Sequence, residues 1–452
     1  MENIGGYRGA GLELLSRLKL SVGDMVTIET KDGSISGVIM PRYESASDGY
    51  ISAKLKSGYN TGIEIGKINS VSRSTANPPA ASTTSGATTA STVSSIKESK
   101  DLPRIALIST GGTIASKIDY RTGGVRAALT ASELYSSVPE LASIAWIDPE
   151  VLLSEYSENL KPSHWTAIAQ KVAEKAASGN YRGIVISHGT DTMHYTAAAL
   201  SFALRNLPVP VVLVGAQRSS DRPSSDAAIN LLGAVSFASQ SDVAGVFVAM
   251  HAGTSDDLVA IHVGTRVRKN HTSRRDAFES IDASPIALVR NGQIVEMQSI
   301  QFHLAKRADK SDLKMQAEFD SRVLLVKSYP GIDFKLLDYA IASGYRAVIL
   351  EGTGLGHVSN DSFPFLRKAI QAGLMVCMTS QCIWGRVRMT VYDTGRDLLD
   401  IGILPLSDMI SETAVVKAMW ALATSGNDID AAKMLMKANI ANEVTDAIPI
   451  SS

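Results

Sequence analysis

Apolar and polar positions change their rhythm twice along the chain. Residues 25–30 alternate with one slip, Lys31-Asp32-Gly33 reads as a turn, and Ile35 to Ile39 resumes the alternation. Ile51, Ala53 and Leu55 alternate again, and Thr61, Ile63 and Ile65 follow the Ser57-Gly58 turn. Short period-two strands between glycine turns predict a small all-β barrel over residues 1–74. Residues 75–101 are rich in Ser, Thr and Ala and carry no periodic apolar positions. They predict a flexible linker with a span of about 25–30 Å. From Pro103 the rhythm changes to apolar runs separated by helical spacing. Residues 104–109, 183–187, 209–214 and 245–250 read as buried strands. Trp165, Ile168, Ala169 and Val172 mark one helix face after Pro162, with Gly179 as a stop. This alternation predicts an α/β body with a doubly wound parallel sheet over 102–310. Runs at 322–326, 347–350 and 374–378, with helical residues 414–423, predict a second α/β domain over 311–452. The charged stretch from Lys306 to Asp312 marks the boundary.

A length of 452 residues exceeds what one core usually organises, which agrees with several units. With 45% hydrophobic and 20% charged residues the chain reads as a soluble globular protein. The net charge of -1 lacks the overall field of a nucleic-acid binder. Nine basic and eight acidic residues nearly balance in 1–74. That favours a docking or spacer module over an autonomous grip on RNA. The two cysteines, Cys377 and Cys382, have no zinc-type spacing and form no disulfide framework. A reducing, cytoplasmic setting is therefore expected. Met1 to Arg8 shows no signal-peptide core, and no apolar run reaches 18 residues, so no membrane span is expected.

The chemistry concentrates in two turns. Thr113 lies in residues 108–116 and Thr190-Asp191 in residues 187–193, 77 positions apart from threonine to threonine. Both follow predicted buried strands, at whose carboxyl ends an open α/β sheet binds ligands. A reactive hydroxyl needs a base and nearby backbone donors, and two such turns can supply both. Taken alone, Thr-Gly-Gly-Thr reads as a tight connection or an anion cradle, but it matches neither the dinucleotide fingerprint nor the P-loop. Asp191 alone reads as an N-cap for a helix over 193–204. A third segment, 266–276, alone reads as a solvated basic loop. Beside Thr190 and Asp191, however, a partly buried Lys269 becomes a candidate base.

Together these strings resemble the L-asparaginase/glutaminase family: Thr-Gly-Gly-Thr-Ile-Ala at 110–115, His-Gly-Thr-Asp-Thr-Met at 188–193, and Arg-Val-x-Lys at 266–269. Val214-Gly215-Ala216-Gln217-Arg218 and Ser157-Glu158 fit the same pattern, and the resemblance covers about residues 103–425. The first unit, the linker, and the strings at 380–387 and 392–396 are similar to the D-subunit branch found in archaeal glutamyl-tRNA(Gln) amidotransferases. The resemblance implies a glutaminase whose ammonia passes to a separate E subunit. That partner would bind Glu-tRNA(Gln) and use ATP and Mg2+, with no cofactor on this chain. It also implies a homodimer within a heterotetramer of two D and two E subunits. Thr113 is implied as the nucleophile, with Thr190, Asp191 and Lys269 as a proton relay. Thr113 and Thr190 remain interchangeable as first attacker on sequence alone. Ser157, Glu158, Gly112 and Gly189 are implied to contact glutamine. The family's lid tyrosine has its nearest counterpart in Tyr120, only seven residues past Thr113. A free-standing asparaginase and a non-catalytic tRNA-binding scaffold are the competing readings.

Overall fold

The computed structural model describes residues 6–31, 33–40, 48–55, 60–73, 102–112, 116–118, 125–127, 134, 138–218, 225–255, 257–297, 302–308 and 312–445. The proposed linker and the residues Thr113 and Tyr120 lie outside this set.

The first unit opens with a helix, Gly9–Arg17, followed by five antiparallel strands. Met25–Thr30 sits between Gly33–Ile39 and Ile68–Arg73, with Tyr50–Leu55 and Asn60–Glu64 extending the sheet beyond Gly33–Ile39. Val26, Ile28, Ile39, Ile51, Ala53 and Ile63 point inward and close over Leu14 and Leu15 of the helix. The strand period therefore sorts its apolar set onto one face, as expected for a half-buried sheet. The helix is an addition to the strand reading. Gly11, Leu14, Leu15 and Leu18 follow helical spacing, and the first three are buried.

In the second unit, five parallel strands stand in the order Trp146–Val151, Arg104–Ser109, Gly183–Ser187, Pro210–Val214, Val243–His251. Three antiparallel strands, Val259–Val263, Ala287–Arg290 and Gln293–Met297, continue the sheet, so it is mixed rather than wholly parallel. The connection from His251 to Val259 is too short for a crossover helix, and only an antiparallel return is available. Alternate side chains of each strand serve opposite layers. Ile105, Leu107, Val185, Val212 and Phe247 pack under the helix Ala227–Gln240. Ala106, Ile108, Ile184, Ile186, Val211 and Val246 pack against Pro162–Ala177 and Met193–Ala203. Burial on both faces explains the continuous apolar runs of these strands.

The third unit is a parallel sheet of Val323–Lys327, Ala347–Gly352, Met375–Ser380 and Leu404–Pro405. Its helix Ser411–Thr424 lies against Met193–Ala203 of the second unit, with Trp420 stacked on Phe202 at 5.7 Å between centroids. Helix Met193–Ala203 is apolar on nearly all sides and is buried between the two units. A helix with no polar face is stable only when enclosed in this way. It is also the helix that begins just after Thr190 and Asp191.

Candidate active site

The parallel register aligns four carboxyl ends. Ser109 pairs with Ser187 and with Val151, and Ser187 pairs with Val214. Four turns therefore emerge side by side, at residues 110–112, 188–192, 152–159 and 215–218. Arg104–Ser109 lies between Trp146–Val151 and Gly183–Ser187, the next two strands of this sheet along the chain, which makes it the switch point where open α/β sheets bind ligands.

The glycines of these turns are there because the backbones touch. Gly111 and Gly112 adopt φ of +126° and +76°. A Cβ on Gly111 would lie 2.1 Å from the Glu155 carbonyl oxygen, and one on Gly112 2.8 Å from the His188 carbonyl carbon. The turn that leads into Thr113 thus rests on the turn that carries Thr190. Thr110 is excluded as a reactive hydroxyl, because it is buried and donates to the Ser187 carbonyl at 2.9 Å. A Cβ on Gly189 would lie 2.8 Å from Ser157 Cβ and 2.9 Å from its Oγ. Ser157 is buried in a short 3-10 turn, Ser157–Asn159, and its carbonyl accepts from the Thr192 hydroxyl at 2.7 Å. Glu158, next to it, is exposed.

Lys269 reaches this cluster from the short strand Val267–Lys269, which is paired with Phe278–Ser280. Its ammonium donates to Thr190 Oγ1 at 2.9 Å and to Asp191 Oδ1 at 2.6 Å. The Lys269 side chain is 9% exposed and that of Asp191 68%, so the amine is shielded while the carboxylate opens to solvent. Asp191 is not an N-cap: the helix begins at Met193 with Thr192 before it and no side-chain cap. The carboxylate turns to the lysine instead. Thr190, Asp191 and Lys269 are thus brought together from positions 78 and 79 residues apart.

The basic segment is not a solvated loop at its start. Arg266 is fully buried and meets the Asp408 carboxylate at 3.2 Å, while Arg268 meets Glu412 at 2.7 Å. Only the continuation is open, with Arg274 exposed and paired to Asp276.

Two supports of the site have no signature in the sequence. Beneath the turn, His188 Nδ1 lies 2.6 Å from the Gly189 carbonyl, which can only accept, so this nitrogen carries the proton. Nε2 then accepts from the Thr196 hydroxyl at 2.8 Å, and Thr196 accepts from Trp165 Nε1 at 3.1 Å. Burial holds His188 neutral, with its pKa lowered to about 4. Beside the turn, Asp226 receives the backbone N–H groups of Gln217 and Arg218 at 3.0 and 2.9 Å, and Asn230 ties Asp226 to the Gly215 carbonyl. His188 stands inside the 188–193 motif, but its role depends on Thr196 and Trp165, which no local pattern links to it.

Among the described residues no group of His, Cys, Asp and Glu is placed to hold a metal ion.

Family comparisons divide the chain along these units. The model for the N-terminal domain of asparaginase matches residues 104–301, that for the glutaminase/asparaginase C-terminal domain 322–436, and that for the GatD N-terminal domain 20–72. The glutamyl-tRNA(Gln) amidotransferase D-subunit of Pyrococcus furiosus is 46% identical over 440 residues, covering 96% of this chain and 97% of that protein. This chain belongs to the D-subunit family of glutamyl-tRNA(Gln) amidotransferases. The D-subunit of Sulfolobus acidocaldarius is 45% identical, over 97% of this chain and 95% of its own length. The D-subunit family shares its α/β body with simpler enzymes. The thermostable L-asparaginase of Thermococcus kodakarensis superposes with a TM-score of 0.67 at 32% identity, over 76% of this chain and all of that one. The match to the GatD N-terminal domain falls on the amino-terminal β unit of this chain.

Proposed function

We propose that this chain is the glutaminase subunit of a tRNA-dependent amidotransferase. It releases ammonia from glutamine for conversion of Glu-tRNA(Gln) to Gln-tRNA(Gln) on a partner E subunit. The amidohydrolase type follows from family membership. The observation that carries the chemistry is the contact of Lys269 with Thr190 and Asp191, on a turn packed against the Gly111-Gly112 turn.

In this reading Thr113 Oγ attacks the carboxamide carbon of glutamine. Its proton passes through the Thr190 hydroxyl to the Lys269 amine, which the Asp191 carboxylate orients. The tetrahedral oxyanion is met by backbone N–H groups of the two glycine turns. Collapse of that intermediate breaks the C–N bond, and the relay returns a proton so that ammonia leaves. Water then cleaves the threonine ester to glutamate. Ser157 and Glu158, with Gly112 and Gly189, line the substrate end, where Glu158 can meet only the α-ammonium. Tyr120 acts as the lid that excludes water. ATP and Mg2+ act on the partner, which also carries most of the tRNA contact. Two copies of this chain with two E subunits form the working assembly in the cytoplasm.

A diazoketone analogue of glutamine tests the assignment. Peptide mapping should find the label on Thr113, and Lys269→Met should retain less than about 1% of glutamine turnover, the scale on which acid–base groups contribute. Label on Thr190 would reverse the two threonines, and full turnover in Lys269→Met would remove the relay.

A further inference from the structure

The strand that carries Lys269 is paired with Phe278–Ser280, and its start is also tied to the carboxyl-terminal part of the chain. The Thr265 hydroxyl donates to the Ala441 carbonyl at 2.8 Å, and the Thr265 carbonyl accepts from Thr413 at 2.8 Å. Arg266 donates to the carbonyls of Asp408, Glu443 and Ile281 at 2.9, 3.0 and 2.7 Å as well as to the Asp408 carboxylate. Arg268 is held by Glu412. On a strand, successive side chains point to opposite sides. Arg266 and Arg268 therefore reach the third unit, while Lys269 reaches Thr190 and Asp191 of the second.

The tail that holds Arg266 is itself fixed. The buried Glu443 carboxylate receives the N–H groups of Ile440 and Ala441 and pairs with the buried Lys417 ammonium. Lys417 also donates to the Met436 and Ala438 carbonyls. The Thr445 hydroxyl and N–H bond the same Asp408 carboxylate that faces Arg266. A continuous set of bonds thus runs from Lys417 through the tail and Asp408 to the strand of Lys269.

We infer that Asp408 and the tail residues 440–445 are a positioning strap for the relay lysine, acting through Thr265 and Arg266. This rests on the proposed relay. The strap touches neither glutamine nor the reacting atoms. It sets where the amine lies relative to Thr190, and so governs kcat and leaves substrate binding nearly untouched. Misplacing a catalytic group by about 1 Å is enough to cost on the order of 100-fold.

The test uses the full chain with its partner subunit. The double variant Arg266→Met, Asp408→Leu removes both members of the buried pair rather than stranding one of them, a change that is often tolerated, and it also takes from Arg386 its 3.7 Å contact with Asp408. Its kcat for glutamine should fall roughly 10- to 100-fold with KM within about twofold. The milder Thr265→Val, which loses the bond to Ala441, should show the same split, and Thr265→Ser should restore kcat. Lys269→Met is assayed beside them. If it is inactive while the double variant and Thr265→Val keep wild-type kcat, the strap is refuted and the relay stands. A parallel rise in KM would also refute it. If Lys269→Met itself is fully active, relay and strap fall together.

Discussion

Gly189→Ala isolates the contact between the relay turn and the substrate turn. The new methyl would lie 2.8 Å from Ser157 Cβ and 2.9 Å from its Oγ. Carbon atoms pack at about 3.5 Å or more, so the two turns must part by roughly 0.7 Å or more. Ser157 cannot yield easily, because it is buried and its carbonyl is held by Thr192. Overpacking of this kind costs about 1–3 kcal/mol of stability. A shift approaching 1 Å at Thr190 can cost up to about 100-fold in rate. A fall in kcat of about tenfold or more is therefore expected, with a modest loss in Tm. Gly179→Ala is the control. That glycine ends helix Pro162–Ala177 at φ +67° with open space around it. Its substitution costs only about 1–2 kcal/mol of backbone strain and no activity. Ammonia release from glutamine and thermal unfolding of both variants decide the matter. A Gly189→Ala enzyme with kcat within twofold of wild type would refute the packing argument.

Three further outcomes follow from the same geometry. Thr196→Val removes the hydroxyl between Trp165 Nε1 and His188 Nε2 and leaves two buried polar atoms unpaired, which should cost about 1–3 kcal/mol and lower Tm by several degrees; an unchanged Tm would contradict it. Burial lowers His188, His194 and His262 to about 4, from 6.5. The unfolded chain binds these protons first, so stability should be fully present above about pH 6.5 and fall progressively toward pH 4, by about 2 kcal/mol per histidine at pH 5; flat denaturant midpoints over that window would contradict it. Lys417→Met strands the buried Glu443 carboxylate and should cost about 3–5 kcal/mol, much of it recovered in the double variant with Glu443→Gln; equal midpoints for the single and double variants would show that the pair is not coupled.

What could be read in advance followed the physics that acts locally. The parallel strands are buried on both faces, so residues 104–109 and 183–187 stand out as apolar runs. Close backbone contact demands glycine, so Gly111, Gly112 and Gly189 mark where the turns meet. The antiparallel strand Val259–Val263 is as apolar as its parallel neighbours, and its direction is set by a short connection rather than by composition. Arg266 shows the limit most clearly. Its charge suggests solvent, but its partners Asp408 and Glu443 lie 142 and 177 residues away and enclose it completely. Asp191 shows the converse. Its place before a helix suggests a cap, yet a lysine 78 residues on outcompetes the helix for the carboxylate.

The central claim is most directly tested by ammonia release from glutamine and from asparagine. Both are measured with the chain alone and then with its E subunit, ATP, Mg2+ and Glu-tRNA(Gln). Glutamine turnover that rises strongly in the full mixture, matched by formation of Gln-tRNA(Gln), is the result this account predicts. Fast asparagine turnover by the chain alone, unmoved by partner and tRNA, would contradict it and make the chain an asparaginase with an added β unit.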